Sequence, residues 1–142
     1  RTKDFLYIHN FAPDRWPAGT PNWELAYKKN AWFGDCDNGP TKLAIVARRE
    51  RDEIYERCYD LCFSKRPMEE LYDLKRDPHQ VDNVASVADY EEAKELLRDL
   101  LMSELKASGD PRVIGGGEAF DSYPYFGGIP TYPGDEALDL YR

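Results

Sequence analysis

Three polar residues near the start of the chain have the chemistry to bind an oxyanion: His9, Asn10 and Arg15. His9 and Asn10 follow an alternating apolar run, and the end of such a strand can face a pocket. Arginine binds oxyanions through paired N–H donors. The pattern therefore predicts a substrate-binding cluster. The alternative is that His9 is a partly buried histidine satisfied within the fold, and that Arg15 is a loop charge.

The cysteines and the second histidine match no catalytic or metal-binding pattern. Cys58 and Cys62 are four residues apart, so they share one helix face in a geometry that rarely suits a relaxed disulfide. Zinc binding by this pair and His79 would lack a fourth ligand. Neither histidine has a serine or cysteine partner at a triad spacing. The sequence predicts no catalytic residue and no metal ligand in this chain.

Two other stretches share only some features of ligand-binding loops. Asp35–Gly39 has the composition of a calcium loop, but Val46 stands where a bidentate glutamate is expected. Gly115–Gly117 is not followed by the Gly-Lys-Ser/Thr sequence of a phosphate-binding loop. Both stretches are interpreted as turns.

Composition predicts a folded chain with an acidic surface. Its 142 residues correspond to one ordinary domain, and the 42% hydrophobic content excludes a disordered chain. The net charge of −8 disfavours nucleic acid and anionic membranes as partners. No apolar run is long enough to span a membrane, and no signal-peptide pattern opens the chain. Because Arg1 is not an initiator methionine, we expect a fragment of a longer protein.

Apolar periodicity predicts strands at both ends of a helical region. Lys3–Phe11 carries apolar residues on both faces, which indicates a strand covered on each side. Helical spacing covers Thr41–Arg51 and Asp52–Phe63, as one bent helix or as two. Met68–Leu74 is the second predicted strand.

A long C-terminal helix is predicted over Ser86–Ala107, beginning at a capping box formed by Ser86 and Asp89. Its predicted buried stripe is Ala93, Leu97, Leu100, Leu101 and Leu105. The fold class is therefore α+β: a small antiparallel sheet packed with a long C-terminal helix, plus irregular extensions rich in glycine, proline and tyrosine.

The stretch Arg66–Ala85 joins the second strand to the long helix and resembles a known family signature. Glu70–Leu74, then Asp77-Pro78, then Asn83–Ala85 are similar to the C-terminal signature of sulfatases. Gln80 stands where that family usually has glutamate, which keeps size and hydrogen bonding but loses the charge.

Further segments extend this resemblance over most of the chain. The long helix and the Gly109–Arg112 segment after it are similar to the heparan N-sulfatase-like branch of the family. The opening Arg1–Asp4 also resembles that family's entry into a strand.

The resemblance implies a domain organisation and a function. Residues 1–109 would be the C-terminal α+β subdomain of a sulfatase of the alkaline-phosphatase-like superfamily, and residues 110–142 an irregular extension. Such enzymes hydrolyse sulfate esters or N-sulfate groups, here expected on sulfated glycans. The subdomain would support the catalytic domain and the pocket edge, without activity of its own. Its partners would be that catalytic domain and a sulfated glycan, in the periplasm or outside the cell.

The family's cofactors are expected outside this chain. Sulfatases use calcium and a formylglycine made from Cys/Ser-x-Pro-x-Arg. The segment Cys62–Arg66 has cysteine and arginine at that spacing, but Ser64 replaces the required proline. It also lies beside the C-terminal signature, whereas the family's nucleophile lies far upstream. The sequence therefore predicts no formylglycine here.

Two other functions stay open on the sequence. A noncatalytic module that binds glycans or proteins would use the aromatic tail, with stacking surfaces from Tyr123, Tyr125, Phe126 and Tyr132. An independent enzyme would use Cys62 or His9, and substitution of either residue would then reduce its activity.

Overall fold

The computed structural model describes residues 1–17 and 39–123. The elements in chain order are strand β1 (Phe5–His9), helices α1 (Pro40–Arg48) and α2 (Glu53–Phe63), strand β2 (Glu69–Asp73), and helices α3 (Glu91–Ala107) and α4 (Pro111–Ile114). Short 3-10 helices cover Ala88–Tyr90 and Gly117–Ser122. The fold is α+β, as the sequence predicts. None of the helices in the described ranges combines the length and apolar character that a bilayer crossing needs.

The chain divides into two compact units. The first comprises residues 1–13 and 67–126 and contains the sheet, α3 and α4; the second comprises residues 14–66 and 127–142 and contains α1 and α2. The division into residues 1–109 and 110–142 that the sequence suggests stays a prediction. The Asp35–Asn38 segment and most of the aromatic tail lie outside the described residues.

The sheet is an antiparallel pair in which Tyr7 lies opposite Leu71. Backbone bonding continues past both strand ends, because the Leu74 N–H donates to the Asp4 carbonyl at 2.9 Å and the Asn10 N–H donates to the Met68 carbonyl at 2.8 Å. Sequence patterning predicts cover on both faces of the first strand. Instead, β2 has three consecutive buried residues and is thus buried on both faces, whereas β1 buries Tyr7 alone.

The core of the first unit forms where the sheet, the loop after β2 and α3 meet. Its buried cluster consists of Tyr7, Leu71, Ala85 and Leu97. Partly buried Phe5, Val84, Tyr90 and Leu101 pack around this cluster. Leu71 is completely inaccessible to solvent. This one signature residue therefore connects the sheet to the helix that follows it.

The long helix begins later than the sequence predicts. The chain forms a 3-10 turn over Ala88–Tyr90, and α3 starts at Glu91 without a side-chain cap. The predicted capping box at Ser86 is therefore wrong: the Val87 N–H donates to the Val84 carbonyl at 3.0 Å, so this segment is a turn that precedes the helix. The predicted stripe is confirmed at Leu97, but Leu100 is 54% exposed.

The second unit contains two separate helices, which decides between the alternatives left open by the sequence. Asp52 accepts a hydrogen bond from the Ile54 N–H at 2.9 Å and so starts α2 as a new helix. The buried apolar residues of the helical pair are Val46, Tyr59 and Phe63. The Arg49 guanidinium lies 4.3 Å from the Tyr59 ring centroid, a cation–π contact across the turn.

Candidate functional site

Asp73, an acidic residue of the signature at the end of β2, stabilises the turn that follows this strand. One carboxylate oxygen of Asp73 accepts from the Lys75 N–H at 3.0 Å, and the other accepts from the Tyr90 hydroxyl at 3.0 Å. Desolvation favours the neutral acid, but these hydrogen bonds outweigh it and hold the pKa of Asp73 below its ordinary value. Asp73 therefore stabilises the turn as a carboxylate and ties it to the start of α3.

The Asp77-Pro78 pair builds the next turn in the same way. The Asp77 carboxylate accepts from the Val81 N–H at 2.8 Å and from the Asp82 N–H at 2.9 Å. Within this turn Gln80 has a φ of 54°, the left-handed conformation, which is uncommon for a residue with a side chain. Gln80, the residue that departs from the family signature, thus lies at a strained position of this turn.

Asn83 takes the place of a neighbouring strand beside β2. Its amide oxygen accepts from the Leu71 N–H at 2.9 Å and from the Ala85 N–H at 3.0 Å, and its amide nitrogen donates to the Glu69 carbonyl at 3.3 Å. The Val84 N–H then donates to the Leu71 carbonyl at 2.8 Å. Asn83 thus satisfies backbone groups at the outer edge of β2.

His9 ends β1 and lies half-buried in a set of aromatic and charged side chains. Its Nδ1 is 3.3 Å from the Tyr7 hydroxyl, and its ring meets the edge of Phe11 at a centroid distance of 4.6 Å. The Tyr7 hydroxyl in turn donates to Glu69 at 2.6 Å. Burial, followed by this hydrogen bond, raises the pKa of Tyr7 well above its ordinary value. Tyr7 thus stays protonated throughout the physiological pH range.

The side-chain amide group of Asn10 donates hydrogen bonds within the fold. Its Nδ2 donates to the Pro67 carbonyl at 2.7 Å and to Glu70 at 2.8 Å. Glu70 is only 6% exposed, and its other carboxylate oxygen accepts from the Tyr72 hydroxyl. A buried carboxylate without such donors is costly, so Asn10 compensates for the burial of Glu70. The amide oxygen of Asn10 is its remaining ligand-binding atom.

Arg15 belongs to the second unit, whereas His9 and Asn10 belong to the first. It lies in the exposed bend after Asp14 and has an interaction of its own within the chain. The three residues of the predicted cluster therefore divide between the two units. Their joint role in binding a substrate stays a prediction.

The sequence does not predict the salt bridge that packs beside the end of β1. Arg112 Nε and Nη2 donate to the two oxygens of Asp110 at 2.9 and 2.6 Å, and its guanidinium lies 5.4 Å from the Phe11 ring centroid. These hydrogen bonds lower the pKa of Asp110 to about 2. The Gly109–Arg112 exit segment thus supports Phe11, which in turn contacts His9.

The segment with formylglycine-like spacing forms the end of α2. Ser64 donates to Asp60 at 2.8 Å, and the Arg66 guanidinium donates to the Leu61 carbonyl. Cys58 lies half-buried on this helix, and Cys62 is exposed on it. Across residues 1–17 and 39–123, no group of three or more His, Cys, Asp or Glu side chains could hold a metal ion. The described residues therefore offer no such group for calcium, which the family resemblance assigns to a catalytic domain outside this chain.

Two pockets lie in the described part of the chain. A cleft of about 180 Å³ between the chain start and α3 is lined by Tyr7, Leu97, Leu100 and Leu101 together with the polar side chains of Arg1, Thr2 and Glu104. A groove of about 480 Å³ between α1 and α2 is lined mainly by apolar side chains, including Ile45 and Ile54. Sulfate recognition needs cations or N–H donors, which this groove does not supply.

Comparison with known proteins indicates a sulfatase relation for part of the chain. The chain is similar to an ulvan-active sulfatase from Formosa agariphila, with 50% identity over 44 residues. The aligned segment covers 31% of this chain and 9% of that sulfatase, so only a small part of the relative's length is spanned. No family model and no solved structure matches the chain. The chain thus contains a sulfatase-related region.

Proposed function

We propose that this chain is the C-terminal α+β subdomain of a sulfatase that hydrolyses sulfate esters or N-sulfate groups of sulfated glycans. The similarity to an ulvan-active sulfatase supports the sulfatase part of this proposal. The Gly109–Arg112 segment supports a heparan N-sulfatase-like enzyme, because it continues the resemblance beyond the general signature. A periplasmic or extracellular location follows from the same class of substrate.

The observation that carries the proposal is the use of the signature residues within the fold. Asp73, Asp77 and Asn83 direct their side-chain oxygens at backbone N–H groups of the same chain. Each of these residues thereby builds the passage from β2 to α3. This structural use of the signature residues supports the proposal that the reaction takes place elsewhere. The subdomain would accordingly support a catalytic domain that carries the formylglycine and the calcium ligands.

The end of β1 is the part of the first unit proposed to border the substrate pocket. His9 and Asn10 are half-buried there, and side chains from β2, α3 and α4 hold the region in place. A rigidly held strand end suits the edge of a binding site. Arg15, which belongs to the second unit, stays a separate proposal for a residue that binds sulfate.

The first prediction is that the 142-residue chain has no sulfatase activity by itself. Incubation with calcium and an aryl sulfate, or with an N-sulfated glucosamine, is expected to release no sulfate above the buffer rate. The physical reason is that the described residues form neither a calcium site nor a formylglycine motif. An active sulfatase serves as the positive control. Clear turnover by the isolated chain would contradict the proposal.

A noncatalytic binding module is the second candidate, and two exposed aromatic rings favour it. Tyr123 is 68% exposed and packs edge-on against Phe120 at a centroid distance of 6.0 Å. Exposed rings of this kind can stack on sugars. Titration of the isolated chain with sulfated oligosaccharides discriminates between the two candidates, because measurable affinity that Tyr123→Ala removes would favour the module.

A further inference from the structure

Four polar side chains form a continuous chain of contacts at the end of β1. Arg98 on α3 lies 3.6 Å from the Glu69 carboxylate, Glu69 accepts from the Tyr7 hydroxyl at 2.6 Å, and that hydroxyl lies 3.3 Å from His9 Nδ1. Glu95 pairs with the same arginine at 3.8 Å, and Phe11 covers the other side of the imidazole. Groups from β1, β2 and α3 therefore meet His9 through one tyrosine.

The direction of each hydrogen bond follows from the number of available protons. A tyrosine hydroxyl has a single hydrogen, and the short contact with the Glu69 carboxylate is charge-assisted and the stronger of its two bonds. The Tyr7 oxygen can then only accept from the imidazole. Nδ1 of His9 must therefore carry the ring hydrogen, because the Tyr7 oxygen can only accept in this contact. The hydrogen bond made by the ring thus decides which of its nitrogens is protonated.

We infer that Tyr7 is a positioning residue that holds neutral His9 in the Nδ1–H tautomer, so that His9 meets a ligand as a hydrogen-bond acceptor at Nε2. This inference rests on the proposed function for the identity of the ligand. A sulfate oxygen can only accept hydrogen bonds, whereas a sugar hydroxyl can donate one. His9 would therefore recognise a hydroxyl of the sugar ring, and the sulfate would bind to donors elsewhere.

Asn10 agrees with this assignment from an independent set of contacts. Both of its amide hydrogens are directed at protein oxygens, Pro67 O and Glu70 Oε1. Its amide oxygen is the atom left to meet a ligand, and it is again an acceptor. The side chains at the end of β1 would thus present hydrogen-bond acceptors to donor groups of a ligand.

The tautomer can be measured directly, because the chain has two histidines, His9 and exposed His79. Long-range ¹H–¹⁵N NMR at about pH 8.5, roughly two units above the ordinary histidine pKa, reports which nitrogen carries the hydrogen. We expect the hydrogen of His9 on Nδ1, whereas His79 serves as the internal reference and shows the Nε2–H form common in water. A wild-type His9 with its hydrogen on Nε2 would overturn the inference without any variant.

Two matched variants separate positioning from general disruption of the fold. Tyr7→Phe is expected to return His9 to the tautomer of His79, because the accepting oxygen is lost. Tyr72→Phe also removes one hydroxyl, which binds Glu70 instead of His9, and should leave the His9 tautomer unchanged. A shift of the tautomer in Tyr72→Phe equal to that in Tyr7→Phe would overturn the positioning role.

A titration with inorganic sulfate tests whether Nε2 of His9 acts as a hydrogen-bond acceptor. At the same pH, sulfate is expected to leave the His9 Nε2 resonance in place, since neither partner offers a hydrogen. Saturable movement of that resonance with added sulfate would overturn the inference. The inference and the proposed function can fail separately. The His9 tautomer is measured by NMR, so an absence of sulfatase activity in the complete protein would contradict the proposed function without changing the tautomer result.

Discussion

Leu71→Ala is expected to lower the free energy of unfolding of the first unit by about 2–5 kcal/mol, the range for large-to-small substitutions in a core. Leu71 is fully buried, between Tyr7 on β1, Ala85 in the loop and Leu97 on α3. Removal of its side chain leaves a cavity among elements that cannot close around it, since the sheet pairing fixes their spacing. The signature leucine therefore matters through packing.

The measurement for this variant is native-state hydrogen exchange of amides in β1 and β2, which reports opening of the first unit. Leu100→Ala is the matched control, because the same chemical change at a 54% exposed position is expected to cost less than about 0.5 kcal/mol. Equal losses in the two variants would contradict the assignment of Leu71 to the centre of the core.

Asn83→Ala is expected to destabilise the first unit by about 1–3 kcal/mol, the cost of leaving a buried donor unsatisfied. The amide oxygen of Asn83 accepts from the N–H groups of Leu71 and Ala85, both of which are buried residues. Alanine removes this acceptor and also loosens the contact that sets the approach to α3. Urea titration monitored by NMR signals of β2 measures the change.

The conservative control at this position is Asn83→Asp. An aspartate keeps an oxygen in place for both N–H donors, but it replaces the donation to the Glu69 carbonyl, at 3.3 Å, by an oxygen that faces this carbonyl. We therefore expect Asn83→Asp to retain most of the stability that Asn83→Ala loses. If aspartate is as damaging as alanine, the two accepted hydrogen bonds are not the cause.

Local patterns in the sequence predict the elements of the first unit well. Alternation identifies the first strand, a short apolar and aromatic run identifies the second, and helical spacing identifies α3. The ion pairs Glu91–Lys94 and Glu95–Arg98 on α3 have N–O distances of 2.8 and 3.8 Å. The start of α3 is missed because Ser86 satisfies the capping-box pattern equally well in a turn. Tertiary contacts of Val84 with the core decide between the two.

Long-range contacts at the candidate site could not be read from the sequence. The link between Tyr7 and Glu69 joins residues 62 positions apart and depends on the register of the sheet. The Arg112 contact with Phe11 likewise depends on where α4 packs. His9 and Asn10 are recognisable as polar residues at a strand end, but their direction of hydrogen bonding requires knowledge of these partners.

The residues that resemble the sulfatase signature therefore have a structural role in this chain. Asp73, Asp77 and Asn83 hold one path of the backbone from β2 to α3, and that path completes the core around Leu71. The same core positions Tyr7, through which the end of β1 is organised. Substitutions in the signature are thus expected to act through the stability of the first unit.

The most direct test of the central claim is the sulfatase activity of the complete gene product, read from its own initiation codon, beside a version that lacks residues 1–142. We expect the upstream region to carry Cys/Ser-x-Pro-x-Arg, and the complete protein to hydrolyse a sulfated substrate with calcium. Deletion of residues 1–142 should abolish that activity. A reading frame without the motif, or turnover that survives the deletion unchanged, would contradict the claim.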